Sequence, residues 1–364
     1  MFDISYDELG PSKVIHLYFP CSGFKAIVVI DNTALGPAIG GVRVSASVTE
    51  DEVIRLARTM TLKNSASGQA HGGGKAGILI DPKDPKKEQY FRLFARQIKD
   101  LYEYIPGPDM GSDEKAMAWV YDEIGRATGL PEELGGLPLD KLGATGFGLT
   151  RCAEIACPYA GIKLKGARVS IQGFGSVGKA VSRFLSKEGA VIVAVSDTKG
   201  TVHNPDGMDV KELIEIKDST ESVINYKKAS LKGLNEIFSI DCDILIPAAT
   251  PDVINKDNVG EVKARLILQG ANIPVTAEAE ELLHKRGVLS VPDFIANAGG
   301  VIMAGMEYAK RTEKEAFEAI ERKIKANTLL ILEKSKKENI LPRKAGEEIS
   351  KERVLKAMNY RGGL

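Results

Sequence analysis

The chain has 364 residues, of which 43% are hydrophobic and 27% are charged, and its formal net charge is zero. This length exceeds what one hydrophobic core usually organises, so two domains are predicted. The neutral charge balance provides no attraction to nucleic acid or to an anionic membrane, and neither is expected as a partner.

The cellular setting is predicted from what the sequence lacks. There is no apolar run of about 18 residues, and the N-terminus lacks a basic segment followed by an apolar one. The four cysteines have no CxxC spacing and fit reduced thiols, while the four histidines lack metal-ligand spacing. We therefore expect a cytoplasmic protein without a metal site.

The first third of the chain mixes strands and helices. Strands are predicted at residues 25–31 and 40–44, and Thr49-Glu50-Asp51-Glu52 has the pattern of a capping box that opens a helix. This helix carries an apolar stripe of Val53, Leu56 and Met60, and Lys63 follows in line. A lysine on a buried stripe is costly unless paired, so Lys63 either reaches solvent at the helix end or binds a carboxylate in a cleft.

Three consecutive glycines, Gly72–Gly74, come directly before Lys75 and a short apolar strand. Glycine costs backbone entropy and has no side chain to pack, so three in a row indicate that something approaches the main chain closely. Lys75 would then point at that group. The alternative is a flexible turn with a solvated lysine.

A second helix is predicted over residues 86–104, followed by a rigid loop at 105–111 that presents Asp109 between proline and glycine residues. Asp109 either stabilises this turn or offers a carboxylate to a ligand. Asp113 is the predicted N-cap of the next helix. The segment 131–144 is rich in Gly, Pro and Leu, which suggests a hinge or a domain boundary.

Beyond this segment, strands and helices alternate. A strand at 167–172 runs into Gly173-Phe174-Gly175-Ser176-Val177-Gly178, a helix follows at 179–188, and the strand at 191–195 ends at Asp197. A GxGxxG sequence between strand and helix, with an acid closing the next strand, is the dinucleotide-binding fingerprint. We expect Gly173 to make the turn, Gly175 to admit the pyrophosphate, and Gly178 to allow close packing.

Asp197 is expected to accept a hydrogen bond from the adenosine ribose and to repel a 2′-phosphate. NAD is therefore favoured as the cofactor, and NADP remains possible. Further strands at 243–247, 264–269 and 288–291 lead into loops. Ligand contacts in doubly wound sheets come from such loops, which places Ala248 and Asn272 near the cofactor, with Asn272 beside the nicotinamide.

These segments, in their order and spacing, resemble the glutamate/leucine/phenylalanine/valine dehydrogenases over essentially the whole chain. The matching segments are Gly40–Arg43, Lys63-Asn64, the GGGK that ends at Lys75, Pro108–Gly111, Ala144–Gly148, Gly173–Gly178, Gly270–Asn272 and Asn297–Gly300. The resemblance implies an α/β protein with two domains. A mixed α/β substrate and oligomerisation domain is expected over residues 1–130, and a Rossmann, doubly wound NAD-binding domain over 131–324. The C-terminal helices at 325–364 are expected to pack back on the first domain.

The resemblance further implies oxidative deamination of an L-amino acid to a 2-oxo acid and ammonium, in a homo-oligomer (hexamer or octamer). Lys63 corresponds to the lysine that holds the α-carboxylate, Lys75 to the one that activates water, and Asp109 to the acid–base that serves the amino group. The remaining substrate positions are Gly41, Ile39, Gly107, Val301 and Ala304. The cofactor positions are Thr145, Gly173, Gly175, Ser176, Val177, Gly178, Asp197, Ala248 and Asn272.

Two positions bear on the substrate side chain. Glutamate-specific members of the family carry a lysine before the first Gly-Gly and a serine on the helix after Asn-Ala-Gly-Gly, where this chain has Ile39 and Ala304. A γ-carboxylate would be left unpaired there, which favours a branched-chain or aromatic amino acid.

Two alternatives remain open. His203–Gly207 and Met117-Ala118-Trp119 look more like the glutamate branch, so glutamate dehydrogenase is the first alternative. A non-catalytic paralogue that binds nucleotide and regulates a partner is the second. The intact Lys63, Lys75 and Asp109 argue against that second alternative.

Overall fold

The computed structural model describes residues 6–361. The elements up to residue 138 are β1 (Lys13–Phe19), β2 (Phe24–Asn32), β3 (Ala38–Val44), α1 (Glu50–Ala66), β4 (Gly72–Ile78), α2 (Lys87–Gln97), β5 (Tyr104–Pro108) and α3 (Glu114–Ile124). The next are α4 (Leu139–Leu142), α5 (Ala144–Tyr159), β6 (Arg168–Gln172), α6 (Ser176–Lys187), β7 (Val191–Asp197), β8 (Gly200–His203), α7 (Val210–Thr220) and β9 (Ser230–Lys232).

The last elements are β10 (Ile244–Pro247), β11 (Leu266–Leu268), α8 (Ala277–Lys285), β12 (Leu289–Val291), α9 (Asp293–Ala296), α10 (Gly299–Tyr308), α11 (Glu313–Glu338) and α12 (Pro342–Tyr360). None of the helices within residues 6–361 combines the length and apolar character needed to span a bilayer.

The chain forms two compact units, and neither is continuous in sequence. Of the described residues, the first unit contains 6–138, 301–316 and 347–361, whereas the second contains 139–300 and 317–346. Residues 301–316 thus belong with the first unit, not with the nucleotide domain predicted over 131–324. Of the predicted C-terminal segment 325–364, the part before residue 347 packs within the second unit.

Specific contacts bind the late segments into the first unit. The buried Glu307 carboxylate accepts hydrogen bonds from the backbone N–H groups of Leu130 (3.1 Å) and Leu137 (3.0 Å). Farther along, the Ser65 hydroxyl donates to the carbonyl oxygen of Ser350 over 2.8 Å. Each of these contacts joins residues that lie far apart in the chain. The domain boundaries predicted from the sequence therefore could not take them into account.

The sheet of the first unit has the order β1-β2-β4-β3-β5. β2 is antiparallel to β1 and β4, whereas β3 is parallel to β4 and β5. One face packs against α2 and α3 through a core that includes Phe91, Phe94 and Met117. Val53 and Ala57 of α1 pack on the other face.

Four local predictions in this unit were wrong. The helix predicted over 86–104 ends at Gln97, and the predicted loop begins with β5, whose prolines are tolerated because β5 is an edge strand. The glycines Gly72–Gly74 lie inside β4 and do not precede it. In α1 the buried positions include Val53, Ala57, Thr61 and Asn64, while Leu56 and Met60 are half-buried.

The sheet of the second unit has the order β12-β11-β10-β6-β7-β8-β9. The strands from β12 to β7 are parallel, and the antiparallel β8 and β9, which were not predicted, extend one edge. From β6 the chain continues to β7 on one side and later to β10 on the other. The carboxyl ends of β6 and β10 therefore form a topological switch point, where doubly wound sheets bind ligands.

Candidate active site

A compact cluster of charges stands on one face of the first unit's sheet. The ammonium Nζ of Lys75, on β4, lies 2.8 Å from Oδ2 of Asp109, which follows β5. The same Oδ2 accepts a hydrogen bond from Nε of Arg43, on β3, over 3.0 Å. The Arg43 guanidinium also pairs with Glu52 of α1. Three neighbouring strands thus bring Arg43, Lys75 and Asp109 together, and α1 adds Glu52 beside Arg43.

Two glycines allow these groups to come together. A Cβ atom on Gly41 would lie 2.6 Å from the Cβ of Asp109, so a side chain on β3 would displace the carboxylate. A Cβ on Gly73 would lie 2.1 Å from the backbone nitrogen of Thr61, so β4 can approach α1 only without a side chain there. The close approach expected at the three glycines is made by α1 at Gly73, whereas a Cβ on Gly72 would meet the carbonyl oxygen of Asn32.

Burial sets the protonation behaviour of this cluster. The Lys75 side chain is 7% exposed. Its burial lowers the pKa of the ammonium, Asp109 opposes that effect, and the nearby Arg43 guanidinium lowers the pKa further. Burial alone would raise the pKa of Asp109, but Lys75 and Arg43 outweigh it and leave that pKa lowered. Asp109 is consequently ionised at neutral pH, and Lys75 loses its proton more readily than a solvated lysine.

Lys63 lies in the last turn of α1 and is half-buried. The next residue, Asn64, is fully buried, and its side-chain amide donates to the carbonyl oxygen of Gly72 over 2.6 Å. This hydrogen bond fixes the end of α1 against the start of β4. Lys63 therefore projects from the helix that packs on the strand carrying Lys75.

The predicted side-chain positions lie on the same face as Lys75. Strand alternation puts Ile39 and Gly41 with Arg43 on this face of β3, and in register they pair with Ile105 and Gly107 of β5. Ile39 is 6% exposed. A Cβ on Gly107 would lie 2.8 Å from Oγ1 of Thr128.

Val301 and Ala304 lie one turn apart on α10 and are half-buried. The side-chain amide of Gln69 donates to the carbonyl oxygen of Val301 over 3.2 Å, and Gly305 packs against the same amide. Gln69 comes from the segment just after α1, so α10 is attached to the element that carries Lys63. All eight predicted catalytic and substrate positions belong to the first unit.

The GxGxxG segment of the second unit has the geometry of a phosphate cradle. Gly173 has a φ of +92°, and a Cβ there would lie 2.7 Å from that of Ala249. A Cβ on Gly178 would lie 2.0 Å from the carbonyl oxygen of Gly173, which explains the tight turn into α6. A Cβ on Gly175 would meet nothing within 4 Å, so the turn is open where a pyrophosphate would approach.

The start of α6 completes this cradle. Gly175 is the N-cap and has no side chain with which to cap the helix, and Ser176 and Val177 form its first turn. The N–H groups of such a turn attract phosphate. A cavity of about 700 Å³ adjoins the turn and is lined by Gly173, Gly175, Asp197 and Ala248, among others. These residues fit a dinucleotide, whose nicotinamide would accept the hydride.

Asp197 lines this cavity, but its carboxylate already has partners. Oδ2 accepts from Nζ of Lys217 (2.9 Å) and from the backbone N–H of Val223 (2.8 Å), and Oδ1 accepts from the N–H of Lys199 (2.9 Å) and the hydroxyl of Ser222 (3.3 Å). The carboxylate is 5% exposed. Burial opposes ionisation, but Lys217 and the backbone donors leave the pKa of Asp197 lowered.

The two remaining predicted cofactor positions, Thr145 and Asn272, lie near Asn297. The side-chain amide of Asn297, which is 5% exposed, donates to Oδ1 of Asn272 (3.2 Å) and to the carbonyl oxygen of Ala271 (3.1 Å). Thr145 lies at the start of α5, where a Cβ on Gly300 would be 3.1 Å from its hydroxyl. Thr145 and Asn272 thus both border the segment from Asn297 to Gly300, which leads into α10.

Three participants in these arrangements were not assigned roles from sequence. Arg43 was visible as part of the Gly-Gly-Val-Arg segment, and its alternation with Gly41 could have placed it beside Asp109. Glu52 was interpreted only as a capping residue of α1. No sequence pattern indicated a role for Lys217, because its partner Asp197 lies on another element.

Comparison with known proteins identifies the family. The model for glutamate/leucine/phenylalanine/valine dehydrogenases matches residues 135–362, and the model for the dimerisation domain of Glu/Leu/Phe/Val dehydrogenases matches residues 11–126. The chain belongs to this dehydrogenase family. It is an amino acid dehydrogenase that acts on a CH–NH₂ group with NAD(P) as acceptor. The predicted two-domain α/β fold with a Rossmann-like sheet is confirmed.

The relatives differ in their cofactor. The NADP-specific glutamate dehydrogenase of Saccharolobus shibatae is 41% identical over 357 residues, which cover 92% of this chain and 84% of the relative. The NAD-specific glutamate dehydrogenase of Staphylococcus aureus is 36% identical over 352 residues, or 91% and 84% of the two chains. The Leu-bound hetero-hexameric glutamate dehydrogenase of Thermus thermophilus matches with a TM-score of 0.84 and 29% identity, over 97% and 90% of the chains.

Proposed function

We propose that the Lys75–Asp109 pair performs the acid–base chemistry of oxidative deamination. In this reaction an L-amino acid, water and NAD(P)⁺ give a 2-oxo acid, ammonium, NAD(P)H and a proton. The observation that carries the proposal is the 2.8 Å contact between a 7% exposed lysine and an ionised aspartate. The lowered pKa of Lys75 suits proton transfer closer to neutral pH, and the ionised Asp109 is a proton acceptor beside it.

Each group has a distinct task in this proposal. Lys63 binds the α-carboxylate of the substrate. Lys75, whose burial favours the neutral amine, takes a proton from the attacking water. Asp109 exchanges protons with the substrate nitrogen, and Arg43 holds its carboxylate in place.

An apolar amino acid is the substrate class that the side-chain positions support. Ile39 pairs in register with Ile105, so the surface next to Lys75 is aliphatic. Gly107 and Ala304 leave space for a bulky side chain. A γ-carboxylate left unpaired on this surface would cost about 3–5 kcal/mol, whereas each buried methylene contributes about 0.8 kcal/mol.

Glutamate is the second candidate, and the names of the relatives favour it. Both curated relatives described above are glutamate dehydrogenases, at 41% and 36% identity. On this alternative, the γ-carboxylate is bound by groups other than those at positions 39 and 304.

Initial rates decide between these candidates. Leucine, valine, phenylalanine and glutamate are each tested with NAD and with NADP on the purified chain. We expect kcat/KM for the best apolar substrate to exceed that for glutamate by at least about 100-fold. A preference for glutamate would refute the apolar assignment, and absence of NAD(P)H formation with any amino acid would favour the non-catalytic alternative.

A double substitution provides a second test of the substrate preference. Ile39→Lys with Ala304→Ser is expected to move the preference toward glutamate, because it supplies a cation and a hydroxyl donor for the γ-carboxylate. Ile39→Met with Ala304→Ser is the matched control, since methionine has a long side chain without charge. If both double variants change the ratio equally, charge pairing at position 39 does not set specificity.

We further propose that the chain forms a homo-oligomer through the first unit. Residues 11–126 match a dimerisation domain, and the Thermus thermophilus relative is described as hetero-hexameric. Light scattering coupled to size exclusion measures the mass. A single species at the monomer mass would refute this proposal.

A further inference from the structure

An aromatic contact joins the start of β4 to the end of α10. The rings of His71 and Tyr308 meet edge to face, with centroids 5.9 Å apart and an interplanar angle of 78°. Both side chains are half-buried, and both residues belong to the first unit. Neither residue takes part in the acid–base chemistry proposed above, but both lie near the positions that bear on the substrate side chain.

Tyr308 shares one face of α10 with Val301 and Ala304. The three residues are spaced by three and four positions, which places them above one another on a helix. Tyr308 therefore extends the surface that Ala304 presents by one helical turn. The end of α10 is fixed in the first unit, because the buried carboxylate of Glu307 accepts hydrogen bonds from two backbone N–H groups of that unit.

His71 belongs to the face of the sheet that carries Lys75. It directly precedes β4, in which alternation puts every second residue, Lys75 included, on that face. Gly72, the first residue of β4, pairs in register with the first residue of β3. His71 therefore lies beside the start of β3, from which the chain continues to Ile39.

The distance along β3 determines which substrate side chains can touch the two rings. Gly41 lies against Asp109, and Ile39 comes about 7 Å farther along β3, at about 3.3 Å per residue. His71 and Tyr308 lie beyond Ile39. A substrate side chain that starts beside Asp109 must therefore extend past Ile39 to touch the rings, and an aromatic side chain extends farther than a branched aliphatic one.

We propose that His71 and Tyr308 are specificity-determining residues, which contact the far end of the substrate side chain and favour an aromatic amino acid over a branched-chain one. The inference rests on the proposed deamination and narrows its apolar substrate class. Aromatic rings attract one another edge to face or offset-stacked, in addition to the gain from the area they bury. An aliphatic side chain has only the latter gain. Gly107 and Ala304 leave the width that a ring requires.

The ratio of kcat/KM for phenylalanine to that for leucine tests this inference. We expect the wild type to use phenylalanine more efficiently than leucine. His71→Leu and Tyr308→Leu are each expected to lower the ratio by about 3- to 10-fold, the scale of a lost aromatic pair. A general disturbance of the fold would lower both rates and leave the ratio unchanged.

Variants that keep the rings separate aromatic contact from hydrogen bonding. His71→Phe and Tyr308→Phe remove the imidazole nitrogens and the phenol hydroxyl, and both should keep the wild-type ratio. Tyr102→Leu, which removes a 71% exposed ring of the same unit, is the matched control and should also keep it. A wild-type preference for leucine, or equal changes in the Leu and Phe variants, would overturn the inference.

Binding of substrate analogues makes the test independent of turnover. Hydrocinnamate and isocaproate carry the two side chains and the carboxylate but no amino group, and calorimetry with NADH present gives the Kd of each. We expect hydrocinnamate to bind more tightly, and this advantage to shrink in both Leu variants. If no amino acid is deaminated, or if glutamate is preferred, the proposed function fails while these Kd values still decide the inference. A ratio of Kd values that is the same in the wild type and both Leu variants would overturn it.

Discussion

The Oδ2 atom of Asp109 accepts hydrogen bonds from both the Lys75 ammonium (2.8 Å) and the Arg43 guanidinium (3.0 Å). These two cations and the backbone N–H of Met110 together outweigh burial and keep the pKa of Asp109 lowered. The proximity of Arg43 also lowers the pKa of Lys75, because two positive charges repel. The structure therefore couples the proton affinities of the two proposed acid–base groups.

Removing either proposed acid–base group should abolish most of the turnover. Lys75→Ala and Asp109→Asn are each expected to lower kcat by at least about 100-fold, the usual scale for a lost acid–base group. Nucleotide binding should persist, because the cavity lies in the second unit. Lys87→Ala, which removes a 3.7 Å contact with the exposed carboxylate of Asp113, is the control and should keep wild-type kcat. Near-normal turnover in either test variant would refute the assigned roles.

The acidic limb of the pH profile should move in opposite directions in two variants, each of which lacks one of the charges near Lys75. Burial lowers the pKa of Lys75, Arg43 lowers it further, and Glu52 raises it. Arg43→Met should therefore raise this pKa and shift the acidic limb of kcat/KM to higher pH. Glu52→Gln should shift it to lower pH. The full profile of each variant is measured with one substrate, and shifts of the same sign would contradict the proposed coupling.

Arg343 should matter for stability more than other arginines of the second unit. Its guanidinium pairs with the buried carboxylates of Glu280 (2.7 Å) and Asp293 (3.0 Å) and donates to the side chain of Gln269 (2.9 Å). Arg343→Met leaves both carboxylates without this cation, which should cost about 3–5 kcal/mol. Arg168→Met, which removes an exposed pair with Asp241, should cost less than about 1 kcal/mol. Urea unfolding measures the free energy of unfolding of both variants. Equal losses of stability in the two variants would contradict this argument.

Ile273 adopts a left-handed conformation with a φ of +48°, directly after Asn272. This conformation is unfavourable for a β-branched residue, and the N–H of Ile273 is held by a 3.0 Å hydrogen bond to Asp293. Ile273→Gly should leave the free energy of unfolding within about 1 kcal/mol, since relief of strain offsets the gain in chain entropy. It should lower kcat/KM by loosening the loop that presents Asn272. Ile273→Val keeps the strain and should resemble the wild type in both assays.

Local motifs predicted the nucleotide half well. Gly173 makes the turn with a positive φ, Gly175 is the N-cap of α6, and Gly178 lies against the carbonyl oxygen of Gly173, all within one strand–turn–helix unit. The helix α6 begins at Ser176, earlier than predicted, since the helix starts within the motif itself. Short-range geometry of this kind is encoded in neighbouring residues.

Contacts between distant segments were harder to predict. The pairing of Asp197 with Lys217 depends on how α7 returns to the end of β7, and no pattern in either segment specifies it. The convergence of Arg43, Lys75 and Asp109 likewise depends on the strand order β4-β3-β5. A family resemblance indicated two of those three residues, but the strand register was needed to connect Arg43 to them.

The first unit is made of three separate segments of the chain, and this has a consequence for its synthesis on the ribosome. All of the second unit's residues have been translated once residue 346 is made, whereas the first unit still lacks the residues from 347 on. The carbonyl oxygen of Ser350, which accepts from Ser65, is among the last to arrive. We therefore expect the half that carries Lys75 to complete its fold only after the residues from 347 on are made, although most of it is translated first. Until then, the N-terminal segment lacks the contacts that residues 347–361 make with it.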